Sequence, residues 1–227
     1  MKPLYRQLLV IGIFAVAMGL LESAVVVYLR QLMYPEGFSF PLSPIAPSLA
    51  VIELLREAST LVMLVCVSLL AARTFSERFA WFLYSFALWD IFYYVFLWLF
   101  TGWPGSLMEW DVLFLIPATW TGPVIAPLLL TLLMLLWGWT ILRRAARGGS
   151  SRILPAEWTG LITGALILVA AFVTDYMRHL FTRFSIQELV TADRDLLVRY
   201  AQQYVPGQFP WIVYGLGIVV IMAAWFQ

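Results

Sequence analysis

Residues 79–100 read FAWFLYSFALWDIFYYVFLWLF, a run of 22 residues carrying one charge, Asp90, near its centre. An α-helix of that length is about 33 Å long and crosses ~30 Å of hydrocarbon. A carboxylate inside such a helix costs roughly 2.5–3.5 kcal/mol on insertion scales, so acids held there are functional candidates by default. Beyond the run come Trp103-Pro104-Gly105, then Trp110-Asp111, then a stretch punctuated by Pro117, Trp120, Gly122, Pro123 and Pro127.

The rest of the chain has the same character. Of its 227 residues, 63% are hydrophobic and only 12% charged, about half the charged fraction of a soluble domain. The composition predicts an all-α, polytopic membrane helix bundle forming a single integral membrane domain over residues 1–227. A net charge of +1 supplies no whole-chain basic field, which argues against nucleic acid as a partner. The single cysteine, Cys66, excludes an internal disulfide, a Cys-only zinc site and an iron–sulfur cluster built by this chain alone. One histidine excludes bis-histidine haem ligation.

Six apolar segments emerge, at about 8–29, 49–72, 79–100, 122–142, 158–176 and 210–226, each near the ~20 residues that a span requires. The first is too long for the apolar region of a leader peptide and is read as a retained span. Prolines break the approach to the fourth. Residues 107–121 are therefore expected to form a half-helix or re-entrant segment, or else the start of one long kinked helix. A capping box, Ser185-x-x-Glu188, followed by apolar residues at helical spacing predicts an amphipathic helix over about 186–204 on the outer surface, ended by Pro206-Gly207. Ala15, Gly19 and Ser23, four residues apart, form a small-xxx-small stripe suited to close helix packing.

Basic residues set the orientation. With a cytoplasmic N-terminus, the inside carries Lys2, Arg6, Arg73, Arg78, Arg143, Arg144, Arg147 and Arg152, and the outside only Arg30, Arg183, Arg194 and Arg199. The chain is thus expected in the cell membrane with both termini cytoplasmic.

Depth then sorts the ionisable residues. At roughly 1.5 Å per residue, Glu22, Glu53, Glu57 and Asp175 fall in the outer half, and Asp90 near the midplane. Glu53, Arg56, Glu57 and Thr60 share one helix face, as do Asp175, Arg178, His179 and Thr182. Five acids face two fixed bases, Arg56 and Arg178, so the surplus must be protonated, hydrated or balanced by a bound cation. The expected site therefore uses Glu22, Glu53, Arg56, Glu57, Asp90, Asp175 and Arg178 for chemistry. Trp89, Tyr93, Tyr94, Asp111 and Trp120 shape a pocket for a small or lipidic ligand arriving from the outer side.

Three function classes follow. In the first, a membrane-embedded enzyme works on a lipid-phase substrate, either by carboxyl acid–base chemistry or through a divalent metal held by Asp175, His179 and Glu57. The second is a small proton- or cation-coupled transporter or ligand binder. In the third, the charges fix helix register in a structural subunit of a membrane complex. The absence of an HExxH motif, a nucleophile elbow or an Asp-rich isoprenoid motif leaves the substrate open.

Overall fold

The computed structural model describes residues 2–116 and 118–225. It is mostly helical, and among the described residues five helices are long and apolar enough to cross a membrane. These are α1 (Lys2–Met33), α2 (Pro47–Ala71), α3 (Phe75–Thr101), α4 (Ile125–Ala146) and α5 (Pro155–Phe181). Several run beyond the expected spans because helix geometry continues into polar flanks where hydropathy has already fallen. At 32 residues, α1 is about 48 Å long. Helix α3 is closed by local chemistry at both ends: the Thr74 side chain caps the Glu77 N–H, and Gly102 takes the left-handed conformation (φ 73°) with its N–H on the Trp98 carbonyl.

The sixth apolar segment forms a shorter helix, here called α8 (Trp211–Ala224), of 14 residues. That is about 21 Å, less than the hydrocarbon thickness. Phe226, at the expected end of this span, lies outside the described residues.

Two further departures have clear causes. Where a proline-broken half-helix was expected, the chain forms an antiparallel hairpin of β1 (Trp110–Phe114) and β2 (Trp120–Pro123). Its register pairs Trp110 with Pro123, Asp111 with Gly122, Val112 with Thr121 and Phe114 with Trp120. The strand residues are mainly aromatic or β-branched, which favours a pleated ribbon over a helix. Pro117, between the strands, lies outside the described residues. Pro127 sits in the first turn of α4, where its missing N–H costs nothing, so α4 is not broken. The expected surface helix over 186–204 is two short helices, α6 (Ile186–Thr191) and α7 (Arg194–Ala201). Ser185 and Glu188 do form the reciprocal capping box at its start. Extended backbone at Ala192 (ψ 157°) divides the two.

The chain falls into two compact units. The first comprises Met1–Leu29, Leu55–Glu109 and Val124–Leu154. In it the small-residue stripe of α1 works as its spacing suggests. A Cβ on Gly19 would lie 2.9 Å from the Trp89 carbonyl and 3.0 Å from the Tyr93 nitrogen. Ser23 donates to the Tyr93 carbonyl at 2.8 Å, and Ala15 is fully buried. Helix α4 meets α3 in a similar way, with Gly138 against the Ala80 carbonyl.

The second unit comprises Arg30–Leu54, Trp110–Pro123 and Pro155–Gln227. Here α5 and α8 pack through glycines: a Cβ on Gly164 would lie 2.9 Å from the Gly217 carbonyl, and one on Gly217 would lie 2.8 Å from the Leu168 side chain. Gly122 of β2 lies under Phe209 and Phe172, where a Cβ would come within 2.9 Å of the Phe209 ring. Such close approaches exchange side-chain volume for backbone contact, the main source of helix association in lipid.

Candidate functional site

In the first unit the chemistry gathers on α1, α2 and α3. Arg56 of α2 reaches across to α1 and forms an ion pair with Glu22. The two side chains are only 20% and 12% exposed. Thr60, one turn along α2 and buried, approaches the other Glu22 oxygen at 3.5 Å while donating to the Arg56 carbonyl at 3.2 Å. Glu57, next to Arg56, is buried as well. Glu57 and Asp90 are both engaged in interactions rather than free.

Asp90 lies in the turn of α3 whose flanking residues, Trp89 and Tyr93, receive the close approach of Gly19. Trp89 is buried, and its indole N–H has no acceptor among the described residues. Tyr93 and Tyr94 meet edge to face with ring centroids 4.8 Å apart, and Tyr94 is buried. The structure therefore brings Glu22, Arg56 and Thr60 together, with Trp89, Asp90 and Tyr93 at the adjoining α1–α3 crossing. Glu53, half-buried on α2, belongs to the second unit.

In the second unit the acids are occupied differently. The Asp175 carboxylate accepts three hydrogen bonds: from the Tyr204 hydroxyl at 2.8 Å, the Gly207 N–H at 2.9 Å and the Gln208 N–H at 3.3 Å. Tyr204 also meets the Thr121 hydroxyl at 2.9 Å, so β2, the chain after α7 and α5 are linked through one buried phenol. Burial holds the Tyr204 hydroxyl well above the ordinary phenol range; the bond to Thr121 opposes this, and the Asp175 carboxylate adds to it. The group stays protonated and donates to Asp175.

His179 stacks on Tyr200 (centroids 4.6 Å apart, 14° between planes). Its Nε2 lies 3.0 Å from the Tyr200 carbonyl. Arg178 points to an exposed surface. Trp120 stacks on Phe172 at 5.8 Å. Asp111, expected to help shape a ligand pocket, is 2% exposed. It forms an ion pair with Arg30 at 2.9 Å, and the Arg30 guanidinium lies 4.1 Å over the Phe38 ring. Three residues of these polar networks, Arg30, Tyr204 and Thr121, are not among the expected site residues. Tyr204 was legible only as one apolar position of a surface helix.

Of the residues expected to hold a divalent metal, Asp175 and His179 are each engaged in hydrogen bonds of their own. The Asp175 oxygens are taken by the hydroxyl and two N–H groups, and the His179 Nε2 by a carbonyl. Among the described residues no three His, Cys, Asp or Glu side chains are grouped to hold a metal ion.

No protein-family model matches the chain, and comparisons with curated proteins and with solved structures give no match either. The helices and these two polar networks are therefore what a functional reading rests on.

Proposed function

We propose that this integral membrane protein is a membrane-embedded enzyme, with Glu57 and Asp90 as its acid–base groups and a lipid-phase molecule as its substrate. The observation that carries the reading is the Glu22–Arg56 ion pair between two apolar helices, with buried Glu57 beside it. Glu22 and Arg56 neutralise each other, and Thr60 braces the pair. Glu57, buried and next to Arg56 on α2, and Asp90, at the α1–α3 crossing, are further carboxyl groups on the apolar helices of the same unit. A carboxyl group can give up or take a proton, the roles of general acid and general base that this reading assigns to them. Trp89 offers a buried N–H donor next to Asp90, suited to a substrate oxygen, and Tyr93 and Tyr94 supply aromatic walls.

In the second unit a structural reading is favoured by a specific observation. Asp175 spends both oxygens on tying the 204–208 segment to α5, which leaves it a tether rather than a reagent.

The test uses purified chain in lipid nanodiscs, incubated with a total lipid extract and analysed by mass spectrometry. A product made by the wild type should fall by about 10²-fold or more in Glu57→Gln and Asp90→Asn and persist in Arg183→Gln. No lipid conversion, together with solute-dependent proton flux into vesicles, would replace the enzyme by a proton-coupled transporter.

A further inference from the structure

One end of the first unit is almost entirely basic. Gln7 near the start of α1 donates to the Ala71 carbonyl at the end of α2. Ser151, beyond α4, donates to Glu77 at 3.0 Å, and the Ile153 N–H donates to Ser76 at 3.1 Å, both near the start of α3. These contacts gather three stretches far apart in sequence: the start of α1, the α2–α3 turn and the chain after α4. They bring Arg6, Arg73 and Arg78 to the same end as Arg143, Arg144, Arg147 and Arg152. The only acid on these segments is Glu77, and it is engaged by Ser151.

We infer that this end is a binding surface for anionic phospholipid headgroups, with Arg143, Arg144, Arg147 and Arg152 as its principal contacts. Charge favours the phosphate: all four side chains are exposed, and guanidinium groups match phosphate oxygens with paired donors. Position favours a lipid over a soluble polyanion. The arginines stand where apolar helices end, beside large apolar side chains that are themselves exposed: Leu70 at 89%, Phe75 at 71% and Leu154 at 47%. The Arg143 guanidinium also lies 6.0 Å from the Trp139 ring, the pairing of aromatic and cation found at the hydrocarbon–headgroup boundary. Gly148, at φ 73°, turns the chain after α4 so that Arg147 and Arg152 flank one short loop. Clusters of this size next to a membrane helix attract anionic lipid strongly.

The experiment is native mass spectrometry of the full chain in detergent, titrated with dioctanoyl-phosphatidylglycerol or dioctanoyl-phosphatidylcholine. The wild type should retain the anionic lipid in preference. Replacing all four arginines by glutamine should lower that preference on the order of tenfold, whereas replacing all four by lysine should preserve most of it. If the fourfold glutamine variant fails to fold, Arg144→Gln/Arg147→Gln is measured in the same way and should show a smaller loss. Equal retention of both lipids by the wild type overturns the inference, as does an undiminished preference in the glutamine variants. Tight capture of an acidic peptide without any lipid preference overturns it too, and assigns the surface to a soluble partner.

Discussion

In the first unit the carboxylate of Glu22 is met by a guanidinium; in the second, the carboxylate of Asp175 is met by a phenol and two backbone N–H groups. Both arrangements satisfy an acid in an apolar chain, but they differ in what remains when one side is removed. Loss of the arginine strands a charge, whereas loss of the tyrosine removes one hydrogen bond of three. The first network is therefore rigid in charge and the second redundant in geometry. A site that must hold a fixed charge balance for chemistry resembles the first, and a tether that must hold a loop resembles the second.

The largest effect should come from breaking the ion pair. Arg56→Leu leaves Glu22 uncompensated and should destabilise the first unit by about 3 kcal/mol. Glu22→Gln combined with Arg56→Leu should recover much of that loss. A double-mutant cycle read by reversible denaturant unfolding in micelles checks it, and simple additivity would mean the pair contributes no coupling. Next comes helix contact: Gly164→Val, pressed against Gly217, and Gly19→Val, pressed against the Trp89 carbonyl, should each cost about 1–3 kcal/mol. Equal losses would show that close backbone approach matters alike in both units.

Asp175→Ala removes an acceptor from the Tyr204 hydroxyl, which keeps Thr121, and from two N–H groups, and should cost about 1–3 kcal/mol. Asp175→Asn, which keeps an acceptor, should cost less. Faster hydrogen exchange at Gly207 and Gln208 in the alanine variant is the local signature, and unchanged exchange would remove the tether from the comparison. The smallest effect lies at α6. There the Ser185 N–H and hydroxyl hold the Glu188 carboxyl below its ordinary value. A depressed carboxylate stabilises at pH above its unfolded value, and the contribution is lost as pH falls through the lower folded value. Protection from exchange at α6, corrected for the intrinsic pH dependence of amide exchange, should therefore fall on acidification in the wild type and lose that pH dependence in Glu188→Gln.

How far the sequence reveals this molecule depends on the range of the signal. Hydropathy is local, so the five long helices are legible, although their ends are not: α5 runs on to Phe181 because helix propensity outlasts apolarity. Depth counting puts Glu22 in the outer half with Glu53 and Glu57, the helix-face neighbours of Arg56, but does not name the Glu22–Arg56 pair that the structure forms. It could not find Arg30–Asp111, since 81 positions separate the partners and neither residue carries a spacing that names the other. At the hairpin two signals compete: the prolines suggest a broken helix, whereas Trp110, Val112 and Phe114 alternate as a strand should. Tyr204 was read as one apolar residue of a helix that in fact stops at Ala201, before the chain buries that phenol against Asp175. Pairings of this kind arise from tertiary structure, and no single segment encodes them.

The most direct test sets Glu57→Gln beside Asp175→Asn in nanodiscs, measuring lipid conversion per folded molecule and unfolding stability on the same samples. Conversion should collapse in Glu57→Gln with stability near the wild type, while Asp175→Asn should lose stability and keep its conversion per folded molecule. Full conversion in Glu57→Gln with collapse in Asp175→Asn would contradict the assignment of chemistry to the first unit and of tethering to the second.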